Sequence, residues 1–396
     1  MLVPGEPTDG LLRRSGFARV TLIYWLSRIL SIAIVMIFAW FQQKNWYTGA
    51  HPDYISYANL WDARWYQYIA SVGYPNVLPL LDGHVNQNAW AFMPVYPFLV
   101  GGISAITGLS WQAVAVGVSL LSGWGFALVS YRLMRHRLNV RQSSWAVVFI
   151  CVAPVSPIFG FGYAEALFLL LLAIALLMLL ERSYLVLAIV LPVLALTRPG
   201  ALALAAVLAG HWFLRWWHRH DDPFPRRAQV GVAILTVWAG ICGIAWLLVA
   251  ALVTGQADAY TATELAWRAQ YIGWVELVPG AAWFQSGNWW LGQPFGTIVP
   301  LLAVIGFAAM LFLPAAKRLG SDLRLWLGAY GAYLFVVFFP QSSTFRILAP
   351  MFPVAGILAQ IRSRLIKVLL VLLSIAGQFW WLWVCWAIVG YDWTPP

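Results

Sequence analysis

The sequence predicts an all-α polytopic membrane protein, and three observations carry that prediction. Of its 396 residues, 62% are hydrophobic and only 10% are charged, with a mean hydropathy of +0.76; a soluble domain carries about 25% charged residues. Apolar runs of about 20 residues, the length that crosses a bilayer, recur along the chain. The basic residues gather in alternate loops between those runs.

The runs start and stop at about 20–41, 111–134, 144–162, 164–181, 184–198, 199–217, 229–253, 293–313, 323–339, 346–361 and 365–390. A further run at about 91–108 carries Pro94, Pro97, Gly101 and Gly102. The expected bundle therefore has about 11–12 membrane helices. The first run is too long for a signal-peptide core and lacks a small-residue cleavage site, so it is expected to be a true span. Cys151, Cys242 and Cys385 all fall inside apolar runs, which fits packing rather than a disulfide or a metal.

Charge decides the topology. With the N-terminus in the cytoplasm, as Arg13, Arg14 and Arg19 suggest, the segment 91–108 must dip in or lie along the surface rather than cross. The groups Arg132 to Arg141, Arg182, Arg215 to Arg227, Lys317 to Arg324 and Arg362 to Lys367 then all fall on the cytoplasmic side. That side takes eighteen of the 24 basic residues. The formal charge of +10 is thus read as topology, and no nucleic-acid partner is expected. The absence of any Asn-x-Ser/Thr sequon favours a bacterial plasma membrane.

The chain 1–396 is expected to be one membrane domain with two long outer loops, 42–110 and 254–292. The cytoplasmic loops have no room for a nucleotide-binding domain, and no Gly-x-x-x-x-Gly-Lys motif occurs. No internal repeat of the kind many transporters carry is evident.

Outer-side polar residues are few: the acids are Asp53, Asp62, Asp82, Glu165, Asp258, Glu264, Glu276 and Asp392. In the first loop, Trp61, Trp65, Tyr68, Ile69 and Val72 follow helical spacing and predict an interfacial helix lying flat, ended by Gly73 and Pro75. Asp62 stands on that helix among aromatic rings, where desolvation raises a carboxylate toward a useful general base. The plainer alternative is a surface Asp paired with Arg64 or capping a turn. Glu165 follows a tight turn between two runs, Arg198 lies where a run breaks, and Arg346 opens one. Boundary arginines either snorkel or clamp a phosphate bidentately. Arg28 is about eight residues into the first run, ~12 Å deep, and is expected to snorkel inward. Of six His, only His218 and His220 are close together, so no metal cluster is expected.

The stretch Trp61-Asp62-Ala-Arg64-Trp65-Tyr66-Gln-Tyr-Ile69-Ala70-Ser-Val-Gly73-Tyr74 resembles the first-loop signature of the PIG-V-type mannosyltransferases, GT-C membrane enzymes that use a polyprenyl-phosphate sugar. Four further blocks keep the family order over about residues 55 to 355. Trp90-Ala91-Phe92-Met93-Pro94-Val-Tyr-Pro97 resembles an aromatic-rich Phe-Pro-x-x-Pro segment. Tyr163-Ala-Glu165-Ala166-Leu-Phe168 resembles a Tyr-x-Glu-Ser-Leu-Phe turn, with Ala166 in place of Ser. Thr197-Arg198-Pro-Gly200 resembles a Thr-Arg-x-x-Gly element, with its Gly one place early. Arg346-Ile347-Leu-Ala-Pro350 resembles an Arg-Tyr-x-x-Pro segment, with Ile347 in place of the aromatic.

The resemblance implies a GT-C bundle whose first outer loop lies beside the active site, with Asp62 as the catalytic carboxylate. It implies a polyprenyl-phosphate sugar donor, expected to be mannose, and a glycolipid, glycan or protein acceptor. Arg346 and Arg198 are then expected to hold the donor phosphate, and Trp61, Arg64, Tyr66, Glu165, Arg268 and Gln270 to contact substrate. Arg64 stands where an Asp-x-Asp metal motif would place its second acid, so no metal or other cofactor is expected. Two alternatives stand beside this reading. One is transfer of another lipid-linked sugar such as arabinose. The other is a lipid or sugar transporter, which would place functional charge near the bilayer midplane.

Overall fold

The computed structural model describes residues 10–388. Asp392 and the side chains of Arg13 and Arg14, invoked above, lie outside the described residues. The chain is an all-α polytopic bundle. In order, its helices are α1 (Gly10–Phe41), α2 (Tyr54–Tyr57), α3 (Asp62–Val72), α4 (Val95–Thr107), α5 (Trp111–Arg135), α6 (Val140–Val152), α7 (Glu165–Leu180), α8 (Tyr184–Ala195) and α9 (Ala201–Trp217). There follow α10 (Arg226–Thr254), α11 (Ala259–Ile272), α12 (Ala281–Leu291), α13 (Phe295–Phe312), α14 (Pro314–Arg318), α15 (Ser321–Val337), α16 (Thr344–Ile347), α17 (Val354–Leu358) and α18 (Arg364–Cys385).

Five helices, α1, α5, α10, α13 and α18, are long and apolar enough to cross a membrane, and α4, α6, α7, α8 and α9 are shorter apolar helices. Similar composition has two destinations. After Glu165, α7 carries no polar residue. It is buried, with Leu169, Leu172 and Leu176 at the centre of the core. α13 is nearly as apolar yet exposes Phe295, Leu302 and Ile305, a face suited to lipid rather than water.

Two expected runs and one expected loop differ in the structure. The run 346–361 is not one helix: Pro350 and Pro353 divide it into α16, a 3₁₀ turn at Ala349–Met351 and α17. A Pro lacks the N–H that a continuous helix needs. The run 144–162 stops at Val152, because Pro154 and Pro157 turn the chain into a 3₁₀ segment at Ser156–Gly160. The loop 254–292 contains α11 and α12.

The outer loop 42–110 is also structured. The only strands among the described residues are Leu80–Leu81 and His84–Val85, paired antiparallel. Asp82 and Gly83, with φ of 52° and 83°, make their turn, a pairing that Asp-Gly favours.

Arg28 does not snorkel. It is buried and donates to Cys151 O at 2.6 Å and to Ser156 O. Cys151 lies in the last turn of α6, so the guanidinium caps that helix from α1, and Ser156 opens the 3₁₀ segment that follows.

Candidate active site

α3 is anchored through Trp61 and Tyr163. Trp61 precedes the helix with φ 56° and ψ −118°, a left-handed backbone that is costly for a bulky residue. The Asp62 amide donates to Tyr163 Oη at 3.2 Å. The buried face of α3 is Asp62, Tyr66 and Ile69, spaced i, i+4, i+7. Tyr68 and Val72 are exposed. The expected single stripe is split, with Trp61 and Ile69 buried and Tyr68 and Val72 exposed; the carboxylate is turned inward, and Trp65 faces a cavity.

The turn before α7 lies directly against α2 and the start of α3. Gly162 N donates to Ala58 O at 3.0 Å. A Cβ on Gly162 would lie 2.1 Å from Asn59 Oδ1, so only glycine permits this approach. The turn carries Tyr163 and delivers Glu165 as the first residue of α7.

Four charges then meet from four parts of the chain: Asp62, Glu165 and Arg346 are buried, and Arg198 is half-buried. Arg346 Nη2 lies 2.8 Å from Asp62 Oδ2, and its Nη1 lies 2.6 Å from Glu165 Oε1. Arg198 Nη1 lies 2.7 Å from the same Glu165 oxygen. The Arg346 guanidinium also stands 5.6 Å over the Tyr163 ring. Two carboxylates and two guanidiniums balance, which is what makes burial tolerable. Burial pushes the Asp62 carboxyl above the usual aspartate range; Arg346 opposes that shift, and Glu165 adds to it.

This network forms part of the wall of a cavity of about 1040 Å³. Trp65 stacks on Phe92 at 5.7 Å, and both rings meet Trp267 edge-on at 5.9 Å. Leu169, Leu202 and Leu247 give another part of the wall an apolar surface. Among the described residues, Glu165 Oε2, Trp267 Nε1, Gln341 Oε1 and Ser343 Oγ are buried with no hydrogen-bond partner, and all four residues line the cavity. Such orphaned groups suit a polar ligand.

Each catalytic, phosphate-binding or substrate-contact residue expected from sequence borders this cavity, though not always in the expected contact. Arg64 does not pair with Asp62; it donates to Tyr47 O and stands 5.6 Å over the Tyr47 ring. Arg268 donates to Val337 O at 2.6 Å. Gln270 is exposed at the rim, whereas Tyr66 is buried against Tyr96 and Phe92. Glu264 was not singled out as a site residue, yet it lines the same cavity with Tyr260 and Arg268 as polar neighbours, and burial pushes its carboxyl up. The signal was present: Tyr260, Glu264, Trp267, Arg268 and Tyr271 fall on one face of α11. No group of three metal-ligating side chains occurs among the described residues.

No family model and no curated protein matches this chain. Among solved structures, it is similar to ArnT from Cupriavidus metallidurans bound to undecaprenyl phosphate, at 15% identity and a TM-score of 0.49, over 89% of this chain and 62% of that one. It is also similar to the Archaeoglobus fulgidus oligosaccharyltransferase in the apo form, at 13% identity and a TM-score of 0.49, over 91% of this chain and 56% of that one. The chain thus spans less than two thirds of the length of these solved structures.

Proposed function

We propose that this chain is a membrane glycosyltransferase that moves a mannosyl residue from a polyprenyl-phosphate donor to an acceptor hydroxyl. One observation carries the reading: all five sequence blocks that resemble the mannosyltransferase family line one cavity. Trp61 and Asp62, Phe92 and Met93, Glu165, Arg198 and Gly200, and Arg346 and Pro350 lie far apart in sequence yet share its wall.

In the proposed reaction, Asp62 takes the proton from the acceptor hydroxyl. The acceptor oxygen forms a bond to the anomeric carbon as the bond from that carbon to the phosphate oxygen breaks. The electron pair leaves with polyprenyl phosphate, and the anomeric centre inverts. Arg346 and Arg198 neutralise the leaving phosphate, and Glu165 holds both guanidiniums in place. No metal takes part in this scheme. The stacked Trp65 and Phe92 with Trp267 offer apolar faces to sugar rings, and the lipid chain lies along the apolar part of the wall. The acceptor is a glycolipid, a glycan or a protein. The protein resides in a bacterial plasma membrane with its N-terminus in the cytoplasm, and the cavity opens to the outer face.

The test uses purified protein in lipid, polyprenyl-phosphate mannose labelled in the sugar, and a membrane extract as acceptor source. Label moving into a new product supports the proposal. Transfer only from another polyprenyl-phosphate sugar, such as arabinose, keeps the reaction and changes the donor. No transfer from any donor by folded protein overturns it in favour of transport.

A further inference from the structure

The basic end of the bundle holds a second, smaller cleft. Several cations at that end are matched by carboxylates. Arg132 lies 2.7 Å from Glu181, and Arg182 and Arg215 share Asp222. Arg19, Arg141 and Lys367 differ. Among the described residues, none of the three pairs with a carboxylate.

These three cations come from α1, α6 and α18 and gather around Trp145. Lys367 Nζ stands 5.3 Å from the Trp145 ring centroid, and Arg19 Nη1 donates to Ser144 Oγ at 3.3 Å. Lys367 is only 5% exposed, and its charged neighbour is another cation, Arg141. A buried cation facing a second cation is costly unless an anion joins them. α6 and α18 both begin here, so their helix dipoles add positive potential. Arg19, Arg141, Ser144, Trp145 and Val148 wall a cleft of about 400 Å³.

The surroundings choose the source of the anion. From Arg19, the exposed residues Leu22, Leu26 and Ile29 continue along the same face of α1. The cations therefore stand where the apolar surface begins, at the level of lipid headgroups. We propose that this cleft, walled by Arg19 and Arg141 beside Trp145 and with Lys367 against the Trp145 ring, binds the phosphate headgroup of an anionic phospholipid whose acyl chain lies along the Leu22, Leu26 and Ile29 face. A free phosphate would use the cations but not that face.

The test is binding to delipidated full-length protein in neutral detergent, read by native mass spectrometry and thermal unfolding. The probes are dioleoyl phosphatidylglycerol, dioleoyl phosphatidylcholine and inorganic phosphate. Wild type is expected to retain phosphatidylglycerol in preference to phosphatidylcholine, and to unfold at a higher temperature with it. Each cation removed is expected to weaken retention about fivefold. Arg141→Gln, at an exposed position, is the first variant, and Arg141→Gln with Lys367→Gln is the second. Arg132→Gln, which breaks a matched pair, is expected to leave retention unchanged. Equal retention of the two lipids, or wild-type retention by Arg141→Gln, overturns the proposal. Stabilisation by inorganic phosphate equal to that by phosphatidylglycerol overturns the lipid as the source.

Discussion

Arg346 joins Asp62 at 2.8 Å, so a short helix after α15 holds the carboxylate at the start of α3. The same guanidinium reaches Glu165 at 2.6 Å. One planar group thus spans two carboxylates from different elements.

A lysine at position 346 is expected to fail. An ammonium is a point charge and cannot bridge Asp62 and Glu165 with the geometry of a guanidinium. Arg346→Lys should lower the transfer rate by about 10²–10³, the loss typical of removing one donor to a developing anion. Initial rates on protein with a wild-type elution profile check this. Retention of the wild-type rate within a few-fold would remove Arg346 from the phosphate site.

The rate should depend on pH through Asp62. Burial holds its carboxyl above the ordinary value of 3.8, against the pull of Arg346. The base must be ionised, so kcat/KM is expected to fall as pH drops through that raised value. Stability runs the other way for this group. A raised folded-state value favours the protonated folded chain, so its contribution is present below the unfolded value and is lost as pH rises through the folded one. The acid limb should therefore appear in the rate without unfolding caused by Asp62. Rate profiles and thermal unfolding over the same pH series separate the two, and an acid limb at or below 3.8 would contradict the assignment.

Gly162 should not accept a side chain. The Cβ of Gly162→Ala would meet Asn59 Oδ1 at 2.1 Å and push apart the two segments that carry Asp62 and Glu165. A cost of about 1–3 kcal/mol in stability is expected, with a fall in activity. Adding Asn59→Ala removes the obstructing atom and should restore part of both. Thermal unfolding of the single and double variants measures it, and an unchanged melting temperature in Gly162→Ala would refute the close approach.

Much of the bundle was legible in the sequence because lipid demands long apolar runs. α1, α5, α10, α13 and α18 follow directly from theirs. Hydropathy alone is blind to backbone breaks, which is why 346–361 read as one span although Pro350 and Pro353 divide it. Spacing grouped Trp61, Trp65, Tyr68, Ile69 and Val72 on α3, whereas Trp61 and Ile69 are buried with Asp62, and Tyr68 and Val72 are exposed. Asp62, Glu165, Arg198 and Arg346 stood out singly as rare polar groups, but no spacing reveals that they meet. That pairing depends on the turn at Gly162 and on the broken segment after α15. Glu264 was missed because α11 read as loop, and its helical face emerges only once that segment is seen as a helix.

If Asp62 takes the acceptor proton, Asp62→Asn should all but stop transfer. The amide keeps the size of the side chain and removes its basicity. The decisive measurement is single-turnover transfer from labelled polyprenyl-phosphate mannose, with donor binding measured on the same folded samples. Transfer is expected to fall by about 10²–10⁴ while donor binding persists. Transfer by Asp62→Asn at a rate near wild type would contradict Asp62 as the base.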